Sequence, residues 1–278
     1  DSGGAGKFRG GLSAESCFIP HNTPSITQDT LSSGNATPTA TGMMGGYPGT
    51  TNEYKYVRHS DIQDRIKSRK MIDDIAEVVG ESVTLQLRQI NFEQFPADVY
   101  SVVCSAAGGF GDPLDRDPQK VKEDVDAYSV TGDGAREMYG VIIEPGTGEI
   151  DHKATESLRT DIRNARLNGH HLKPMKVNGE LLLEVTENIH LRSEKGRTVY
   201  CCAKCCTEIG QLGENYKEHC IRIDQHVSKS NLLIGEPSRF IDDVPEFRQF
   251  VCPGCGTLIE NEIAMKGEPL LMDIHIEK

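Results

Sequence analysis

The chain has 278 residues, of which 37% are hydrophobic and 26% charged, with no tryptophan and a formal net charge of −12. That balance fits a globular protein of about two domains whose cores rest on Val, Ile and Leu. The acidic charge argues against nucleic acid as the main partner, since phosphate neutralisation needs clustered Lys and Arg. No apolar run of about 18 residues is present to span a membrane.

Residues 1–51 are rich in Gly, Ser, Thr and Pro. They also carry Phe8, Leu12, Cys17-Phe18-Ile19 and Met43-Met44, spaced like short strands between tight turns, which points to ordered backbone threaded through a larger assembly. The chain opens at Asp1-Ser2-Gly3-Gly4. That opening is expected of an internal fragment, a processed subunit or a chain numbered from its first ordered residue. From Val83 to Val103 the alternation is strand-like. Asp117-Pro118 predicts a helix start, with Val121, Val125 and Tyr128 on one face. Asp133 is the expected cap of a second short helix carrying Ala135, Met138 and Tyr139. Val141-Ile142-Ile143 reads as a strand and Glu144 to Gly148 as a turn. Lys153 to Leu167 reads as a helix with Ala154, Leu158 and Ile162 inward and its arginines towards solvent. After a linker at 168–180, Leu181 to Val185 and Val199-Tyr200 read as strands, and Leu258 to Ile276 as short antiparallel strands. No internal repeat is evident. The expected class is α+β: a partly irregular Gly-rich region with short helices over residues 1–167, then a small β-rich zinc-ribbon domain over 181–278.

Chemistry concentrates in the cysteines. Cys202-Ala-Lys-Cys205 and Cys252-Pro-Gly-Cys255 have the spacing at which two thiolates grip one metal ion, and two such pairs complete a closed tetrahedral zinc site. Register swaps to Cys201 or Cys206 remain open, as does a ligand from the intervening His219, Cys220 or His226. Four thiolates leave no open coordination position, so the zinc is expected to be structural. The clustering of Cys201, Cys202, Cys205 and Cys206 is poor geometry for independent disulfides, and no signal segment precedes them. Both observations point to reduced thiols in a cytoplasmic protein. Asn35-Ala36-Thr37 is a sequon without a secretory signal.

Other candidates are thinner. Gly4-Ala5-Gly6-Lys7 fails the P-loop pattern, since Asp1 and Phe8 stand where Gly and Ser or Thr are needed. Gly108-Gly109-Phe110-Gly111-Asp112 is not a dinucleotide fingerprint, because Pro113 follows directly. It reads as a tight turn, or alternatively as a loop presenting amides to an anion. His170-His171 reads as a solvated turn, His21 and His59 are isolated, and Cys104 reads as a small buried hydrophobe.

Two stretches resemble known families. Gly108 to Pro118, with Val121, Asp124-Val125 and Tyr139-Gly140-Val141, resembles the C-terminal part of the hydantoinase B large-subunit family. Asp1 to Gly11 resembles that family's glycine-rich segment further upstream, and together they cover roughly 1–167. The part holding Cys202, Cys205 and Cys252-Pro253-Gly254-Cys255-Gly256 is similar to the small zinc-binding subunit of acetone and acetophenone carboxylases. The combination implies a component of a multi-subunit ATP-dependent ketone carboxylase, in which an ATP-activated enol is carboxylated with bicarbonate. The alternatives are a component of an ATP-dependent cyclic amide hydrolase and a non-catalytic, zinc-containing assembly subunit. The resemblance implies a hydantoinase A-like ATP-binding partner and the rest of a B-type large subunit, which would hold the ATP and a catalytic divalent metal. The substrate would be a small ketone or cyclic amide. Arg9, Asp112 and Arg116 are the catalytic candidates here. The two arginines would steer a phosphorylated or carboxylate intermediate, with salt bridging as the alternative.

Overall fold

The structure is a computed structural model that describes residues 1–170 and 173–276; His171 of the histidine pair lies outside the described residues. Strict alternation builds the first sheet. β1 (Glu15–Phe18), β3 (Glu53–Arg58), β4 (Glu81–Thr84) and β6 (Val99–Val103) lie antiparallel in the order β1-β6-β3-β4. Val57 opposite Val99 faces one side, against Ile62, Ile75 and Val78, while Tyr56 opposite Tyr100 faces the other, against Leu85 and Phe92. This is the period-2 signature of a sheet covered on both faces. The short helix α1 (Ile62–Lys67) contributes Ile62 to the first side, and the ribbon of β2 (Ile26–Leu31) and β5 (Arg88–Gln94) brings Phe92 to the second. Asp98 is buried because it accepts from Tyr56 Oη at 2.7 Å and from the amides of His59 and Phe95.

Three further helices follow. α2 (Pro118–Asp126) starts as expected, the Asp117 carboxylate accepting from Gln119 N. Val121 is fully buried, but Tyr128 is 96% exposed, because the helix ends at Asp126 and Tyr128 turns left-handed with φ 56°. α3 (Gly132–Tyr139) is capped by Thr131, not Asp133; the Thr131 hydroxyl accepts from Gly134 N at 2.9 Å. Val141 to Ile143 is not a strand, since only the single bridge Ile143–Ile150 forms around the turn. Cys104 is exposed rather than buried.

α4 (His152–Leu167) corrects the sequence reading most. Its arginines do not face solvent. Arg159, Arg163 and Arg166, at i, i+4 and i+7, form one inward stripe that donates to Tyr139 O and Arg116 O, to Asp115, and to Asp112.

The C-terminal part carries two more sheets. β7 (Leu181–Glu184), β8 (Ile189–Glu194), β9 (Arg197–Cys202) and β10 (Glu208–Gln211) lie in the order β10-β9-β8-β7. β11 (Ile221–His226), β12 (Pro245–Val251) and β13 (Leu258–Met265) form a meander. Tyr200 and Cys202 of β9 enter a core with Ile189, Ile209, Phe250 and Ile259, while Val199 and Cys201 point to the opposite side, against Val177. β13 accounts for only the first half of the strands expected over 258–276; residues 266–276 form no strand. Among the described residues no helix is long and apolar enough to cross a membrane.

Candidate metal centre

β9 ends in Cys202 and β12 leads directly into Cys252, so each strand delivers a thiol into a tight turn. The Sγ atoms of Cys202, Cys205, Cys252 and Cys255 all lie within 4.8 Å of one another. Cys202–Cys255 and Cys205–Cys252 are separated by 3.8 and 3.5 Å. Sulfurs about 2.3 Å from a tetrahedral zinc would stand about 3.8 Å apart, so the donor set fits that ion. The separations are far too long for disulfides, and every cysteine is a free thiol. Thiol contacts within the cluster hold Cys205 low, hold Cys255 down at about 6, and push Cys202 and Cys252 up. Four thiols this close cannot all ionise without a cation among them.

The two turns are copies of one device, C-x-x-C-x-T, which the sequence reading passed over. In the first, Cys202 N donates to Thr207 O at 2.8 Å and Cys206 N to Cys202 O at 2.9 Å. In the second, Cys252 N donates to Thr257 O at 2.9 Å and Gly256 N to Cys252 O at 3.0 Å. Thr207 and Thr257 set their hydroxyls 3.2 and 3.3 Å from the sulfurs of Cys205 and Cys255. The x before each threonine is left-handed, Cys206 at φ 57° and Gly256 at φ 73°. Cys206 is therefore the turn residue, and Cys201 lies across the strand in another core, so neither belongs to the four-thiol cluster. The inserted candidates stand elsewhere too. His219 pairs with Glu214 at 3.0 Å, Cys220 is buried in the ribbon core, and His226 Nδ1 lies 2.8 Å from Ser228 Oγ.

The second turn reaches into the glycine-rich layer. Asp112 is fully buried, and its carboxylate accepts from Arg166 at 2.9 Å, from Leu258 N at 3.0 Å and from Leu114 N at 3.1 Å. Arg166 also donates to Gly256 O at 3.0 Å. Burial alone would raise the Asp112 carboxyl, but the Arg166 charge and these hydrogen bonds outweigh it and hold it below the ordinary carboxylate range. Arg9 and Arg116 share a different carboxylate. They reach the two oxygens of Asp124 at 3.2 and 2.8 Å and donate to Gly10 O and Lys7 O. Sequence reasoning used Asp124 only as a family marker, and its role depends on α2 setting it between two distant arginines.

The layer itself is backbone against backbone. Segments around 3–11, 42–49 and 106–111 interleave: Tyr47 N donates to Ala5 O, Gly109 N to Tyr47 O, Phe110 N to Phe8 O and Gly111 N to Met43 O. A Cβ on Gly4 would stand 2.1 Å from Tyr47 O, and one on Gly109 would stand 2.2 Å from Ala5 O. The amides of Gly109, Phe110 and Gly111 are thus already used, which removes the reading of this loop as an anion cradle. The C-terminal part docks on the same layer. Glu260 accepts from Met44 N at 2.9 Å, Asn188 donates to Met44 O at 2.6 Å, Gln249 donates to Tyr47 Oη at 2.8 Å, and Lys7 pairs with Glu187.

Comparison with known proteins finds matches in two parts of the chain. Residues 1–113 match the hydantoinase B/oxoprolinase family model, and residues 175–277 match that of the acetone carboxylase gamma subunit. This chain joins a segment similar to the hydantoinase B/oxoprolinase family to a segment similar to the acetone carboxylase gamma subunit. The acetone carboxylase alpha subunit of Xanthobacter autotrophicus is 32% identical over 183 residues, which cover 60% of this chain and 23% of that subunit. The acetophenone carboxylase delta subunit of Aromatoleum aromaticum is 27% identical over 175 residues, 60% of this chain and 26% of that one. The chain thus spans about a quarter of the length of these relatives. A nucleotide-free acetone carboxylase structure aligns with a TM-score of 0.48 at 28% identity, over 61% of this chain and 24% of that one. An ATP-dependent caprolactamase from Pseudomonas jessenii aligns at 0.43 and 27%, over 57% and 24%.

Proposed function

We propose that this chain is a component of a multi-subunit, ATP-dependent ketone carboxylase of the acetone and acetophenone carboxylase type. The observation that carries the reading is the union of a hydantoinase B-like segment and a gamma-subunit-like segment in one chain, docked through buried and half-buried polar contacts at Met44, Asp112 and Asn188. In this proposal the chain divides at the connector 168–180, with residues 1–167 as the B-type part and 181–278 as the zinc ribbon. Cys202, Cys205, Cys252 and Cys255 hold a zinc ion in a closed set that offers no open position to a substrate, so the ion staples the ribbon and does no chemistry. Arg9, Asp112 and Arg116 are kept as positioning residues. Each spends its charge on a buried or half-buried partner and orders the glycine-rich layer beside a reaction centre. ATP and the catalytic divalent metal belong to partner chains: an A-type ATP-binding subunit and the remainder of a B-type large subunit. The free thiols are the support for a cytoplasmic assembly.

The test is an assay of the purified assembly with a small ketone, ATP and bicarbonate. ATP hydrolysis that depends on both, with a carboxylated product, is the expected result. Ring opening of a cyclic amide without bicarbonate would assign the assembly to hydrolysis instead, and an assembly inactive in both assays would reduce this chain to a scaffold.

A further inference from the structure

The β10-β9-β8-β7 sheet has two unlike edges. At the β10 edge, residues 175–177 run alongside: Glu208 N donates to Met175 O, Val177 N donates to Cys206 O, and Lys176 bridges Thr207. At the other edge nothing pairs with the outer side of β7 among the described residues. That edge is three consecutive leucines, with Leu181, Leu182 and Leu183 exposed by 39, 49 and 48%. An unpaired apolar edge strand is a template for another strand, and natural sheets normally blunt it with a charge, a proline or a bulge; β7 has a register shift between Leu181 and Leu183 on its β8 side but no charge or proline within its leucine run. Here the charges stand only at the ends. Glu180 and Glu184 are exposed, and neither has an ion-pair partner among the described residues.

We propose that the outer edge of β7 is a docking site that is filled, by strand addition, by an extended segment of a partner subunit. That segment has three apolar residues flanked on each side by Lys or Arg. Main-chain hydrogen bonds would supply the register, and the residues facing each other across the pair would supply the selectivity. The charge pattern selects the occupant. Two copies of β7 paired antiparallel about Leu182 would set Glu180 against Glu184 at both ends, which like charges disfavour, and the chain as a whole carries −12. A basic–apolar–basic segment meets both carboxylates with opposite charge. The proposal rests on the reading of this chain as one subunit of a larger assembly, but its test does not use that assembly's activity.

Amide exchange over residues 179–186 is compared between the isolated chain and the native assembly. The expected result is exchange at least about tenfold slower in the assembly, with the interior strand β9 unchanged. Equal exchange in the two states overturns the proposal. The variant Leu182→Glu should leave the melting temperature of the isolated chain within about 2 °C, since the side chain is exposed, yet release a partner chain from the assembly on gel filtration. If that variant melts early, Leu182→Thr keeps the strand propensity and takes its place. Retention of every partner by a folded variant overturns the proposal. So does an isolated wild-type chain that is dimeric by light scattering and becomes monomeric on the same substitution, because that assigns the edge to a second copy. An assembly that shows the protection but no carboxylation leaves this inference standing and sinks the functional one.

Discussion

The two halves of the molecule reach order by opposite means. The glycine-rich layer is ordered chiefly by main-chain contact; backbone meets backbone so closely that a single added Cβ on Gly4 or Gly109 would fall 2.1 or 2.2 Å from a carbonyl oxygen. The ribbon instead has a side-chain core of Ile189, Tyr200, Ile209, Phe250 and Ile259 beside a four-thiol cluster. A small module of that kind buries limited apolar area and gains from a metal staple. The layer needs no staple of its own, but it leans on the ribbon through Asp112, whose carboxylate binds Leu258 N and Arg166. One half is therefore specified by what is missing at each position, and the other by what four positions supply.

The largest expected effect breaks the ribbon alone. Removing the metal with a chelator, or substituting Cys252→Ser, should withdraw much of the ~10–16 kcal/mol that structural zinc contributes in small zinc modules. Amide exchange should then show β9 and β12 opening while β3 and β6 stay protected; equal loss in both halves would show that they fold as one unit. Next, Asp112→Ala cuts the junction between them and leaves Arg166 buried without its partner, at about 3–5 kcal/mol, measured by urea denaturation. Because the Asp112 carboxyl is held below its ordinary range, the stability it contributes is fully present above the unfolded pKa of about 3.9. It is lost as the pH falls below that towards the lower folded value. The wild-type chain should therefore lose stability in that acid window, and Asp112→Ala should lose less there.

Gly109→Ala tests the layer itself, at about 3 kcal/mol or more from overpacking, and it should lower the denaturation midpoint without changing metal content. A mild effect would show that the layer can spread. The smallest effect belongs to Gly132→Ala. No atom lies within 4 Å of its added Cβ at the start of α3, so this substitution should be neutral or stabilise by under about 1 kcal/mol. A large loss there would mean that glycine matters for a reason other than space.

Much of the candidate site was legible as residue types at fixed spacing. Two CxxC pairs bring four thiols together whatever the path between them, since each tight turn fixes its own pair and only one metal geometry suits both. The same spacing could also have shown the repeated C-x-x-C-x-T, and with it the turn role of Cys206. Helix starts at Asp117-Pro118 were legible for a similar reason: the cap and the proline act within a few residues.

Other features were decided only by the folded chain. Local sequence pictured the arginines of α4 as solvent-facing because charge alone suggests exposure; the fold places Asp112 and Asp115 on their side and turns the stripe inward. Cys104 follows a strand-like apolar run, yet its position at the end of β6 leaves it exposed. Arg9 and Arg116 lie far apart in the chain and meet only because α2 carries Asp124 between them. The sequence by itself determined the two paired-cysteine turns, because a tight turn is a local property, whereas the need for glycine at Gly4 and Gly109 comes from distant segments meeting backbone to backbone. Which charges are buried and which carboxylate joins the two halves was settled by tertiary structure, because a charge is buried only where the fold brings its partner.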